Sequence, residues 1–405
     1  MSTPKPALAL PLLAAVAACA TPTSARPPLT LVETAPVETT LDDPEIPAAH
    51  EVWLEMIGAA KRELAICQFY LASRGEGDRI RPVIDAVEAA ARRGVRVRLI
   101  ADSRFYKTYP GELDRLGAVS GIDVRIYRVG ETIGGVQHAK FFVVDDREAY
   151  LGSQNFDWRS LEHIQELGVR IAVPAVVRSL RDVFDLDWAL ASGEPRPLTR
   201  RGERDRFPVT VTLAGAPAKV TAAHSPKGWL PDEDLWDLPK LVALIEGAER
   251  SVRVQLLSYE PSFYSGDRWT VLDDALRGAA GRGVEVSLMV SHWMTKQERV
   301  GPLGDLQQVP NLTVKIVTLP QASTGFIPFA RVIHSKLLVV DGRWAWIGTS
   351  NWSGDYFHNS RNVGLIVDSP AFAARVERFF DRGWRSAYAE ELIPGKSYPE
   401  PRIAR

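Results

Sequence analysis

His138-Ala-Lys140-Phe-Phe-Val-Val-Asp145, followed by Gly152-Ser153-Gln-Asn155, returns later in the same chain as His334-Ser-Lys336-Leu-Leu-Val-Val-Asp341, followed by Gly348-Thr349-Ser-Asn351. The two copies keep one offset of 196 residues at every histidine, lysine, aspartate, glycine and asparagine. Chance does not hold a separation over so many positions. The chain is read as two halves, each bringing one His, one Lys and one Asn to a shared site.

Working outward, each His and Lys are two residues apart, a spacing that on a strand puts both side chains on one face. The four apolar residues after each lysine suit a strand buried on both faces of a sheet. Asp145 and Asp341 fall at the turn that ends it, a place suited to orienting neighbours by hydrogen bonds rather than to direct catalysis. Upstream, the helical pattern Val52, Leu54, Met56, Ile57 and Ala60 leads into a strand from Leu64 to Leu71. A second helix from about Arg81 to Arg93 closes at Gly94, where glycine takes a left-handed cap, before a strand from Val95 to Ala101. The second half repeats this order at 241–249, 252–259, 271–282, Gly283 and 284–290. Helix then strand, twice over in each half, predicts an α/β architecture.

In these upstream elements the offset is 189, and it is 190 at the strands around Ile126 and Ile316, so the second half carries about six extra residues between Ile316 and His334. They fall in Gln321 to Val332, with Gly325, Pro328, Phe326, Ile327 and Phe329. A loop there would sit beside the second histidine, as a lid or lip or as a plain surface loop.

A chain of 405 residues with a formal net charge of −1 suggests two domains or one bilobal domain, and carries no overall positive field. Phosphate recognition must therefore be local. Residues 1–19 read as an export signal: Lys5 precedes an apolar run from Ala7 to Ala18, too short to span a bilayer comfortably. Val16-Ala17-Ala18-Cys19 resembles a lipobox, making Cys19 a lipidation site and the protein an exported, bacterial-type envelope lipoprotein. Ala18-Cys19-Ala20 also fits an ordinary cleavage site, which would leave a secreted soluble protein. Residues 20–47, rich in Pro and Thr, read as a flexible tether, 48–205 as the first half, and 206–395 as the second. Arg, Glu, Pro and Gly between Ser192 and Pro208 mark a solvated linker. Cys67 lies in an apolar run as a buried strand thiol, and Cys-and-His zinc spacing is absent.

Two facing imidazoles supply complementary chemistry at a phosphoester. One attacks phosphorus while the other, protonated, gives a proton to the leaving oxygen; the roles then reverse as water cleaves a phosphohistidine. Two lysines and two asparagines offer positive charge and amide donors to the equatorial oxygens.

The pattern H-x-K-x4-D followed by G-[ST]-x-N, twice in one chain, resembles the phospholipase D superfamily. Phe156-Asp157-Trp158-Arg159-Ser160-Leu161, Glu166-Leu167-Gly168 and Asn351-Trp352-Ser353-Gly354-Asp355-Tyr356-Phe357 are similar to its animal lysosomal branch and the related poxvirus envelope proteins. The resemblance spans about residues 48 to 390. It implies two pseudo-twofold-related α/β/α sandwich halves sharing one active site, and phosphodiester cleavage or transfer without metal or other cofactor. The implied site is His138, Lys140, Asp145, His334, Lys336 and Asp341, supported by Asn155, Asn351, Ser153 and Thr349. By family analogy His138 is the nucleophile and His334 the acid; the sequence alone does not order them. Glu166 lies eleven residues after Asn155, where relatives carry a glutamate that orients a site histidine; the position equivalent to it in the second half is Asn362.

Phospholipid at a membrane surface is the expected substrate, since no basic stripe marks a nucleic-acid track and an anchor at Cys19 would give access to lipid; the alternatives are single-stranded nucleic acid cleaved from its 5′ end and a cardiolipin synthase-like transfer, and no obligate protein partner is implied. A non-catalytic scaffold is the other class of reading, opposed by the survival of all six His, Lys and Asn residues. The remaining histidines, His50, His163, His224, His292 and His358, lack the motif context. Of Trp158, Trp352, Tyr356 and Phe357, which follow the asparagines, two are assigned to core packing, and the others could stack a base or line an acyl groove.

Overall fold

A computed structural model describes residues 1, 26–193 and 205–404. The expected signal segment, Cys19 and the middle of the expected linker lie outside the described residues. In the first half, strands β1 (Leu29–Thr34), β2 (Glu63–Cys67), β4 (Arg96–Asp102), β5 (Ile122–Tyr127), β6 (Phe141–Val144), β7 (Glu148–Gly152) and β9 (Glu166–Ile171) form one mixed sheet, and β3 (Leu71–Ala72) pairs with β8 (Phe156–Asp157) beside it. The second half contributes β10 (Val209–Leu213), β11 (Ala216–Ser225), β12 (Ser251–Leu256), β13 (Glu285–Ser291), β14 (Leu312–Val317), β15 (Lys336–Val340), β16 (Trp344–Gly348), β17 (Asn362–Asp368) and β18 (Ala389–Glu391). The order β1-β9-β7-β6-β2-β4-β5 recurs as β11-β17-β16-β15-β12-β13-β14, with β10 and β18 added at the two ends. The duplication therefore extends to sheet topology.

Alternation along each strand divides its apolar residues between two cores. Phe142 and Val144 of β6 face an outer core with the helices Ala49–Gly58 and Arg81–Arg92, whereas Phe141 and Val143 face a central core. In β15, Leu338 and Val340 turn outward to Asp237–Glu246 and Val271–Gly281, and Leu337 and Val339 turn inward. The central core joins both halves, since it contains the helices Pro174–Leu190 and Pro370–Trp384 and the inner faces of both sheets. Each half is an α/β/α sandwich, and their inner helices pack into one interior. The helix Arg81–Arg92 buries Val83, Ile84, Val87, Ala90 and Ala91 at helical spacing and is followed by Gly94 at φ +89°, a left-handed value that glycine adopts without a Cβ penalty.

The expected tether is corrected for residues 29–47. Leu29–Thr34 is the edge strand β1, antiparallel to β9 from Leu29↔Ile171 to Thr34↔Glu166, with Leu29, Leu31 and Val32 buried. Its place matches that of β11, so the repeat begins about twenty residues before the expected boundary at 48. The chain then crosses to the second half. The Glu38 carboxylate accepts from Ser323 N at 2.7 Å, Arg378 Nε donates to Asp43 Oδ2 at 3.0 Å, and Arg331 Nη1 donates to Val37 O at 2.7 Å. The short apolar run of β1 was hidden by the Pro- and Thr-rich composition around it.

Candidate active site

Each motif histidine sits just before its strand, in a segment whose backbone pairs across the halves. His138 N donates to Arg361 O at 3.0 Å, and Arg361 N donates to Val136 O at 3.0 Å. His334 N donates to Gln165 O at 2.8 Å, and Gln165 N donates to Val332 O at 2.9 Å. This corrects the expectation that His and Lys share one strand of their own sheet. The sheet strands begin at Phe141 and Lys336, because the backbone of the preceding residues is committed to the opposite half.

The crossing sets each histidine against a side chain of the other half. His334 Nδ1 lies 2.8 Å from Glu166 Oε2, and Ser160 Oγ holds the other carboxylate oxygen at 2.9 Å. His138 Nδ1 lies 3.2 Å from Asn362 Oδ1. Asn362 Nδ2 donates to Tyr356 O at 2.8 Å and Thr349 Oγ1 donates to Asn362 Oδ1 at 2.9 Å, so the amide oxygen is the atom turned to His138. An amide oxygen only accepts, so Nδ1 of His138 carries the hydrogen and Nε2 keeps its lone pair. Asn362 is the functional residue that sequence reasoning left without a role. Its signal was its position, eleven residues after Asn351 as Glu166 is eleven after Asn155.

Ser153 and Thr349 pin these partners. Ser153 Oγ accepts from Leu167 N at 3.1 Å and Thr349 Oγ1 accepts from Val363 N at 3.1 Å, one residue beyond Glu166 and Asn362 respectively. The glycine before each hydroxyl residue is required by packing. A Cβ at Gly152 would strike the Tyr150 hydroxyl and lie 2.7 Å from the Gly168 Cα, and at Gly348 it would strike the Trp346 indole. Lys140 Nζ donates to His138 O at 2.6 Å, and Lys336 Nζ donates in the same way to His334 O. Asn351 Nδ2 donates to the Tyr356 hydroxyl at 3.1 Å; Asn155 N donates to Ser160 Oγ at 3.3 Å.

Asp145 and Asp341 stand at the far ends of their strands, about 20 Å of extended chain from the histidines. Asp145 accepts from the N–H groups of Lys61, Arg62 and Glu63 at 3.0, 2.7 and 2.9 Å, and Asp341 from Glu249, Arg250 and Ser251 at 3.0, 2.8 and 2.9 Å. The two carboxylates hold the backbone at the entry to β2 and β12.

Two imidazoles, two lysines and one carboxylate share a buried space. Burial, then Lys140, Lys336 and His334, holds His138 well below the usual imidazole range. Burial draws His334 down to about 4, with Glu166 opposing it, and draws Lys336 down to about 7, again opposed by Glu166. Burial would raise Glu166, but His334 and Lys336 outweigh it and keep the carboxyl below its usual range. A carboxylate held ionised by a neighbouring imidazole and an imidazole drawn toward neutrality pull opposite ways. The 2.8 Å contact decides the ranking: His334 alone has a carboxylate, so it takes a proton more readily than His138. A phosphodiester monoanion entering this space would offset the cost of burial for the lysines and for His334 and favour their charged forms, while His138, without a carboxylate, stays neutral.

Aromatic rings frame His138. Phe69 lies 5.1 Å and Tyr356 4.9 Å from it, both edge-on; Phe69 packs on Phe105 at 4.1 Å, and Tyr70 stacks on Phe105 and Tyr109 at 5.4 and 5.1 Å. Of the four aromatics after the asparagines, Trp352 and Phe357 are core, Tyr356 meets His138, and Trp158 lies under Arg74. His163 is edge-on to Trp158, His224 bonds Ser179 at 2.9 Å and His358 is edge-on to Trp236. The 321–332 loop packs as a rim. Ala322, Ile327, Ala330 and Val332 form a small core with Ile164, and Arg159 Nη1 donates to Pro328 O at 3.3 Å.

The family described as cardiolipin synthase, PLD-like domain, matches residues 53–188 and 241–384. A probable phospholipase D of Caenorhabditis elegans is 32% identical over 84% of this chain and 67% of its own. The 5′-3′ exonuclease PLD3 of Rattus norvegicus is 32% identical over 85% of this chain and 76% of its own, and phospholipase D Z of Dictyostelium discoideum 30% identical over 84% and 86%. Among solved structures, a phosphatidylserine synthase of Haemophilus influenzae shares the fold with a TM-score of 0.62 at 12% identity, covering 85% of each chain. The match falls on both halves and the relatives span them together, so the chain belongs to the phospholipase D-like family and is a phosphodiesterase.

Proposed function

We propose that the chain cleaves the terminal phosphodiester of single-stranded nucleic acid through a phosphohistidine on His138. The observation that carries the substrate is the aromatic run Phe69, Phe105, Tyr70 and Tyr109, which starts at His138, is half-buried along its length, and has exposed Arg104 and Lys107 in the same segment. Nucleobases stack on such faces without regard to sequence, at ~1–3 kcal/mol per base. The relatives named 5′-3′ exonuclease support the same reading.

His138 Nε2 attacks phosphorus, the bond to the leaving oxygen breaks, and His334, protonated at Nε2 and backed by Glu166, gives that oxygen its proton. Water then attacks the phosphohistidine, His334 takes the proton back, and the phosphorus–nitrogen bond breaks. The lysines and asparagines stabilise the charge on the non-bridging oxygens.

Phospholipid is the second reading. Phe329 on the rim loop is 45% exposed and Tyr264 is 59% exposed, two aromatics able to enter a lipid interface, and other relatives are named phospholipase D. Attachment to a membrane through Cys19 belongs with this reading; wild-type protein that takes up no labelled palmitate would remove it.

The test offers purified protein a 5′-hydroxyl single-stranded oligonucleotide and, separately, labelled phosphatidylcholine or phosphatidylglycerol vesicles, in EDTA, from pH 4 to 8. Oligonucleotide turnover that His138→Ala and His334→Ala each abolish is the expected result. Turnover of lipid alone rejects the nucleic-acid reading; turnover of neither rejects both, and activity lost to EDTA rejects the metal-free mechanism.

A further inference from the structure

The two histidine segments pair with the opposite half through the same backbone bonds, yet only the one carrying His138 is backed by a buried arginine–aspartate pair. Behind His138, Arg361 and Asp187 form an ion pair whose side chains are both 0% exposed. Arg361 Nε lies 3.0 Å from each Asp187 oxygen, Nη2 lies 2.9 Å from Oδ1, and the remaining donors reach Ser225 O at 3.0 Å and Trp229 O at 2.7 Å. Asp187 comes from the first half, in the helix Pro174–Leu190; Arg361 comes from the second. Gln137 Nε2 donates to Asp187 Oδ2 at 3.1 Å, and Gln137 Oε1 accepts from Ala139 N at 2.9 Å. The residues on both sides of His138 are thus tied to the couple. Its own N–H is held by Arg361 O, and its Nδ1 by the next residue, Asn362.

The second copy provides an internal control. At the offset of 196, Arg361 corresponds to Gln165, Asp187 to Gly383 and Gln137 to Ile333. There the brace is neutral: Gln255 Nε2 donates to Gln165 Oε1 at 2.9 Å, and Gly383 has no side chain to offer. The backbone pairing Gln165↔Ile333 forms without an ion pair, just as Gln137↔Arg361 forms with one. Strand pairing between the halves therefore does not require the charges. A buried ion pair is costly to assemble and weak evidence for stability, since an uncharged replacement is often as stable. Its use on one side only calls for a reason at that side.

We propose that Asp187 and Arg361 are positioning residues for His138, locking the backbone of Gln137–Ala139 and the amide of Asn362 so that Nε2 stays aimed at phosphorus. The lock matters most at the histidine that forms the covalent bond, because attack requires a near-linear approach within about 3–3.5 Å. Assigning the effect to the phosphorylation step rests on the reading of His138 as nucleophile.

The test is the double substitution Asp187→Asn with Arg361→Gln, which removes both charges together and gives the second half's residue at 361. Melting temperature and substrate KM are expected near wild type, with kcat falling about 30-fold or more, since small misplacements of reacting groups cost ~10²-fold. Rapid-quench labelling is expected to show slow phosphohistidine formation and an unchanged rate of its hydrolysis. A folded double variant with wild-type kcat overturns the proposal. Label mapped to His334, with kcat still lost, overturns the nucleophile assignment and supports the positioning role. Should the double variant not fold, Gln137→Met cuts the link from the intact ion pair to the His138 segment. A several-fold loss of kcat at unchanged melting temperature is expected there, and an unchanged kcat overturns the proposal.

Discussion

Replacing Glu166 by Gln isolates the charge that distinguishes the two histidines. The carboxylate is wholly buried, its Oε2 2.8 Å from His334 Nδ1, and the amide keeps its shape and an acceptor oxygen. At an effective dielectric constant of ~20 the gross attraction between unit charges at that separation is about 6 kcal/mol, an upper bound. Opposite charges at such distances shift an imidazole by ~1–3 pK units in practice, and each unit is ~1.4 kcal/mol, so about 1.4–4 kcal/mol of imidazolium stabilisation is at stake. The sign follows from Glu166 raising the proton affinity of His334 against the burial that lowers it. Without the carboxylate His334 loses its proton at lower pH, so the alkaline limb of kcat moves to lower pH by about 1–3 units. At pH 7 kcat falls ~10- to 10³-fold. The assay is the pH profile of kcat with an unactivated diester, beside one bearing a good leaving group that needs no acid, where the loss should shrink. A Glu166→Gln alkaline limb that stays where the wild-type limb lies, or an equal loss on both substrates, would refute the reasoning.

Asn362→Asp should act in the opposite sense at the other histidine: a carboxylate beside His138 raises its proton affinity, so the acid limb of kcat/KM moves to higher pH. Asp145→Asn and Asp341→Asn should leave kcat per folded molecule unchanged while each lowers stability by ~2–4 kcal/mol in urea titrations, because a charged acceptor of three backbone N–H groups is lost. Burial acts to raise both carboxyls and the backbone donors more than offset it, so their contribution is complete above the unfolded value of about 3.9 and disappears as pH falls through the lower native value. The melting temperatures of wild type and these variants should converge toward pH 3. Truncation at residue 35 strips β1 from β9, the strand that carries Glu166, and removes the burial of Leu29, Leu31 and Val32. At ~1.5–3 kcal/mol for each side chain the cost is about 5–9 kcal/mol, readable as a lost or strongly shifted denaturation midpoint.

Local pattern made much of the fold legible. Two copies of H-x-K-x4-D, four apolar residues in each strand, and Gly94 and Gly283, both at φ +89°, closing matched helices marked two α/β halves and the candidate His, Lys and Asn residues. Those features are local because strand alternation, helix spacing and left-handed glycine caps are written over a few neighbouring residues. The edge strand β1 escaped because six residues of weak pattern in a Pro-rich context become a strand only when β9 offers its unpaired edge.

The sequence alone determined the pair His138 and His334, its duplication, its lysines and asparagines, and the reaction class they indicate. The unequal surroundings of the two histidines were decided by tertiary structure. Glu166 meets His334 across 168 residues, Asn362 meets His138 across 224, and Arg361 reaches Asp187 across 174. Each contact joins one half to the other, so its partner is set by how two sheets pack over a shared core, and no periodicity within either half encodes it.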